Sequence, residues 1–64
     1  MAMTAAEFKR IRQAMGLTQQ ALADQLGVAR LTVARYETRA RRIPEMAARL
    51  LKRLQDETKR RGSN

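Results

Sequence analysis

Arg30, Arg35, Arg39, Arg41 and Arg42 crowd the middle of the chain, with Glu37 the only carboxylate among them. A guanidinium is a flat fork of donors that matches a phosphate, or the O6 and N7 edge of guanine. The whole chain has the same bias: fourteen Lys and Arg against six Asp and Glu give a formal charge of +8. A polyanionic partner is the economical reading. With 44% of residues hydrophobic, the charge does not mark a disordered tail.

Other chemistry is missing. The chain has no Cys and no His, which removes disulfides, thiolate nucleophiles and the commonest metal ligands. It has no glycine-rich phosphate loop and no clustered acid pair, and 64 residues leave little room to enclose a substrate. No enzyme activity, no cofactor and no small-molecule effector are expected. No apolar run approaches the roughly 20 residues of a membrane span, and the amino terminus lacks a secretory stretch, so no membrane partner and a cytoplasmic location are expected.

The elements that would position these arginines read as helices. Thr4 and Glu7 form a capping box, and Ala5, Phe8, Ile11 and Met15 recur at helical spacing up to Gly16. Lys9, Arg10 and Gln13 fall on the wet face. Thr18 is the next N-cap, opening a helix of about nine residues through Leu22, Ala23 and Leu26 to Gly27. A third helix starts near Ala29 or Arg30, turns Val33 and Tyr36 inward, and ends around Glu37 or Thr38. Residues 38–42 lack apolar periodicity and read as a loop. Pro44 then opens a last helix, expected over about 44–60, with the stripe Ala47, Leu50, Leu51 and Leu54 and with Gly62, Ser63 and Asn64 frayed. Glu45 and Arg49, Asp56 and Arg60, and Glu57 and Arg61 stand four apart, acid first, each pair contributing about 0.2–0.5 kcal/mol. The expectation is one all-α domain over residues 1–64, a bundle of four or five helices.

Between Leu17 and Glu37 two short helices flank a tight turn at Gly27 and Val28, which is a helix-turn-helix pattern over about 18–38. Several features fall at matching spacing: Arg12, Thr18-Gln19, Leu22-Ala23, Leu26-Gly27-Val28, Arg30, Val33, Tyr36-Glu37 and Ile43-Pro44. From about Glu7 through Leu54 the chain resembles the Xre family of DNA-binding domains, which includes the phage Cro and lambda-type repressors. Three positions depart from that pattern. Ala21 stands where Glu is frequent, Ala29 where Ser or Thr usually caps the third helix, and Arg39 where glycine is usual. A missing cap costs roughly 1 kcal/mol. Arg39 must either accept a left-handed backbone or send the loop along another path.

The resemblance implies a double-stranded DNA operator as partner, with the third helix in the major groove and the second crossing the backbone. Arg30, Leu31, Thr32 and Arg35 are then candidates for base contact. Leu31 is out of phase with Val33 and Tyr36, which favours an exposed reader that meets a thymine methyl. Arg35 is the better candidate for guanine, while Arg30 is evenly divided between a base and a phosphate. Gln19 follows a helix cap, beside free backbone amides, and reads as a phosphate contact, as do Arg39, Arg41 and Arg42. The resemblance further implies a structural salt bridge between Arg12 and Glu37. Small bacterial, phage or mobile-element operons, including those of anti-CRISPR-associated regulators, use autorepressors that this chain resembles in size and type, and one recognition helix reads too few base pairs to pick an operator, so a dimeric repressor on an inverted repeat is expected. The fourth helix is the expected dimer surface, with Leu51 and Leu54 at the contact. The alternative is an antitoxin-type or other protein-binding module on the same fold.

Overall fold

In the computed structural model, which describes residues 2–62, helix boundaries follow local capping chemistry. The Thr4 hydroxyl oxygen accepts from the Glu7 N–H at 3.1 Å, and the Glu7 carboxylate accepts from the Thr4 N–H at 3.1 Å. This reciprocal box opens α1 (Ala5–Ala14). The bond from the Thr4 backbone, then that from its hydroxyl, holds the Glu7 carboxyl below the usual carboxylate range. After the Met15 cap, Gly16 at φ +72° turns the chain. Thr18 caps α2 (Gln19–Leu26) by accepting from the Ala21 N–H at 3.0 Å. Gly27 closes α2 at φ 74°, ψ 31°, a left-handed conformation that costs residues with a Cβ roughly 1–2 kcal/mol. The Val28 N–H then donates back to the Ala23 carbonyl at 3.0 Å, which keeps the turn tight.

Ala29 precedes α3 (Arg30–Glu37) and provides no side-chain cap, because a methyl group has no acceptor. Past the loop, α4 (Glu45–Gly62) follows Pro44 and runs for 18 residues. The described residues therefore form four α-helices and no strand, in agreement with the all-α expectation at its lower helix count.

Helix α2 packs on α3, α1 lies against α3, and α4 packs against α1 and α2. Phe8, Leu22, Ala23, Val33, Tyr36, Ile43 and Leu51 form the buried core. Each large apolar side chain enclosed there contributes about 1.5–3 kcal/mol. Phe8 and Tyr36 meet edge to face, ring centroids 5.5 Å apart at 73°, a geometry worth about 0.5–1.5 kcal/mol beyond the area it covers. Burial of Ile43 pins the far end of the arginine loop just before Pro44 starts the next helix.

Two expectations for the last helix change. It runs to Gly62 and not merely to residue 60, so Gly62 closes the helix, while Ser63 and Asn64 lie outside the described residues. Leu51 is 0% exposed and packs inside the monomer, leaving it no surface to offer a second copy. Leu54 is half-buried against the same core. The apolar stripe is wide enough to suggest a shared face, but its centre is spent on the chain's own interior.

Candidate nucleic-acid interface

Successive residues of a helix advance by about 100°, so the buried pair Val33 and Tyr36 fixes which way every other residue of α3 points. Leu31 and Arg35 fall on the opposite side, and both are exposed, Leu31 at 52%. Arg30 is exposed on one flank of that face, and Thr32 is half-buried on the other, beside Tyr36. The sequence-derived quartet therefore divides. Leu31 and Arg35 stand at the centre of the outward surface, with Arg30 and Thr32 at its margins.

A buried polar node sets the angle of this helix. Arg12 donates from Nε to Glu37 Oε2 at 2.6 Å and from Nη2 to Glu37 Oε1 at 3.1 Å. Its third nitrogen, Nη1, donates to the Leu17 carbonyl at 2.7 Å. The side chains of Arg12 and Glu37 are only 10% and 3% exposed. A fork-to-fork pair at low exposure fixes orientation as well as distance. One guanidinium thus ties together α1, the turn before α2 and the end of α3. No buried side-chain nitrogen or oxygen is left without a partner among the described residues.

Gln19 belongs to the same node, which its position in the sequence did not disclose. Its Nε2 donates to Glu37 Oε1 at 3.2 Å, and the residue is half-buried. A primary amide has two N–H donors, so one remains for an outside acceptor while the other is held by Glu37. The signal available beforehand was only that Gln19 follows a cap and that Glu37 ends α3; helix packing brings the two together.

The loop after α3 takes the left-handed route. Arg39 has φ +66°, the single non-glycine residue with positive φ among the described residues. The Thr38 N–H donates to the Ala34 carbonyl at 3.0 Å and the Arg41 N–H to the Arg35 carbonyl at 3.2 Å, folding the loop back onto the end of α3. Arg39, Arg41 and Arg42 are all exposed. The structure thus gathers the loop arginines at the end of the helix whose outward face carries Leu31 and Arg35.

Two short helices joined by a tight glycine turn, with the second presenting an outward face and locked from behind, form a complete helix-turn-helix. The model of the helix-turn-helix family matches residues 8–55. The chain belongs to the Cro/C1-type helix-turn-helix family. No curated protein matches the chain. As a member of this family it is a DNA-binding regulator, with α2, the turn and α3 as its helix-turn-helix. No helix among the described residues is long and apolar enough to cross a membrane.

Proposed function

We propose that this helix-turn-helix protein is a sequence-specific repressor that binds an inverted repeat as a homodimer. The observation that carries the reading is the outward face of α3, where Leu31 and Arg35 stand exposed opposite the buried Val33 and Tyr36. In the major groove Arg35 donates twice to guanine, and Leu31 lies against a thymine methyl. Arg30 and Thr32 meet the margins of the same half-site. Arg39, Arg41 and Arg42 hold phosphates beside it, together with the free N–H of Gln19. One recognition helix reads only a few base pairs, too few to single out one operator among a genome's competing sites, so two copies act together. A dimer seated on a promoter blocks transcription by occupancy, which fits autorepression of a small bacterial, phage or mobile-element operon.

Selection of bound duplexes from random DNA tests the reading. The expected product is an inverted repeat with half-site centres about 34 Å apart, one helical turn. On the selected duplex Arg35→Ala is expected to cost about 1–3 kcal/mol and to relax preference at one position in each half-site. Arg41→Ala is expected to weaken all duplexes alike and to flatten the slope of log affinity against log salt by about 0.9, one phosphate's share. Selected sites with no symmetry would overturn the dimeric reading, and equal loss on all sequences for Arg35→Ala would make it a backbone contact.

A further inference from the structure

Two large apolar side chains are strongly exposed among the described residues, Leu31 and Met46, the latter at 77%. DNA accounts for Leu31 in the reading above and leaves Met46 unexplained. Met46 lines a groove of about 490 Å³ beside α4, together with the apolar Leu26, Val28 and Leu50. The charged residues of the lining are Arg49 and Arg53, so the groove holds two cations and no carboxylate. Both are exposed. Arg53 has no ion pair within the chain among the described residues, whereas Arg49 meets Glu45 at 2.8 Å in a pair that faces water on both sides.

We infer that this groove docks a short, acidic, amphipathic helix of a different protein, its apolar side chains on the floor and its carboxylates against Arg49 and Arg53. The chemistry of the lining selects that occupant. A phosphate backbone has nothing to meet on an apolar floor, so these two arginines serve a different partner from the arginines after α3. A small molecule is enclosed over most of its surface when bound, but here Pro44, Met46, Arg49 and Arg53 all reach solvent along the rim. A second copy docking through α4 would set arginine against arginine. An acidic segment meets both cations, and methionine, unbranched and adaptable, suits a rim that closes over a varied apolar surface.

Dimensions agree with a helical occupant. From Met46 to Arg53 the groove follows two turns of α4, about 10 Å. That length accepts an apolar face built on residues three and four apart, the pattern by which helices bind grooves. Arg49 and Arg53 stand one turn apart on a shared flank, about 6 Å along the axis, which matches two carboxylates one turn apart on the occupant. Tyr36 also lines the groove, from the inward side of α3. The occupant therefore rests behind the helix whose outward face carries Leu31 and Arg35, and leaves that face open to DNA.

Fluorescence anisotropy of a labelled synthetic peptide, titrated with the full chain, provides the test. The peptide has about 14 residues, enough for an isolated helix, with leucines along one face and glutamates flanking them. It is expected to bind, and exchange of its glutamates for lysines to weaken binding about tenfold or more. Met46→Ala and Arg53→Glu are each expected to weaken the acidic peptide several-fold, and Arg53→Glu to bind the lysine peptide better than the wild type does. Both positions are exposed, so the core stays intact, and thermal melts verify this. Arg35→Ala should leave peptide binding unchanged while DNA affinity falls, so a failure of the DNA reading and a failure of this one are separable. A chain of charge +8 attracts acidic peptides in general, and two controls address this. Lys9→Glu makes the same charge change on α1, outside the groove, and should have little effect; a peptide with serines in place of its leucines should not bind. Equal losses from Lys9→Glu and Arg53→Glu, or equal binding of the serine peptide, would reduce the effect to net charge and overturn the proposal. A peptide that dissociates a dimer of the chain in sedimentation would give the groove to a second copy and overturn it as well.

Discussion

At its start α3 has only the methyl group of Ala29 where a cap would sit, whereas at its end Glu37 is gripped by Arg12 and Gln19 and Tyr36 lies against Phe8. The helix is therefore held from its carboxyl end. Its first turn, with Arg30 and Leu31, has no side-chain cap; there the Thr32 and Val33 N–H groups donate to the Ala29 carbonyl at 2.9 and 3.4 Å. The contrast with α2 is instructive: that helix has a side-chain cap at Thr18 and a glycine at its end, local devices that set its limits. Helix α3 takes its position from tertiary contacts instead.

Glu37→Ala attacks the held end and has the largest expected effect. It leaves the Arg12 guanidinium enclosed without its carboxylate, a situation that costs about 3–5 kcal/mol. The urea midpoint should fall with little change in slope. A loss below about 1 kcal/mol would place the bridge among ordinary surface pairs and dissolve the contrast between the two ends. Thr18→Ala comes next, with an expected cost of about 1 kcal/mol as the Ala21 N–H loses its acceptor. Ala29→Ser is the mirror experiment. It should stabilise the chain by about 0.5–1 kcal/mol if the start of α3 is under-held, and no gain would show that the first turn is satisfied by other means.

Smaller effects sharpen the same picture. Arg39→Gly relieves a left-handed residue but frees the unfolded chain, for an expected net gain of about 0.5 kcal/mol in thermal stability. The same variant loses a cation, so DNA affinity should drop while stability rises. Glu7 offers the mildest test. Its carboxyl titrates below the usual range because the Thr4 backbone N–H and hydroxyl bind the ionised form. The associated stability is therefore present above the ordinary carboxylate pKa and is lost as pH falls through the lowered value. Glu7→Gln keeps a side chain able to close the capping box, so the variant should lose less stability than the wild type on acidification; parallel acid limbs would contradict this.

Local chemistry was the legible part of the sequence. Thr4 with Glu7, Thr18, Gly16 and Gly27 each act within a few residues, and the helices they bound stand as expected. The Arg12–Glu37 bridge was reached through family resemblance, because nothing in a spacing of 25 residues announces it. Gln19 was harder: a half-buried amide bound to Glu37 depends on how α2 and α3 cross, which no pattern along the chain encodes. The misplacement of Leu51 has a different cause. Leu50 and Leu51 are adjacent, and a helical period alone does not say which of two neighbouring stripes meets the core; the fit of α4 against α1 and α2 decides it. At Arg39 two backbone paths were open, and Ile43 burial together with the Arg41 bond to the Arg35 carbonyl selects the left-handed one.

The separation of inward Val33 and Tyr36 from outward Arg30, Leu31 and Arg35 also governs how the protein can change over generations. Substitutions on the outward face touch neither the aromatic pair nor the guanidinium node, so their toll on folding is small, within about 0.5 kcal/mol for surface positions. Binding preference can therefore drift without a stabilising change elsewhere to accompany it. Duplicated copies that differ only at positions 30, 31 and 35 would fold alike and, under the base contacts proposed above, would answer to different DNA addresses, making the scaffold a ready starting point for orthogonal switches.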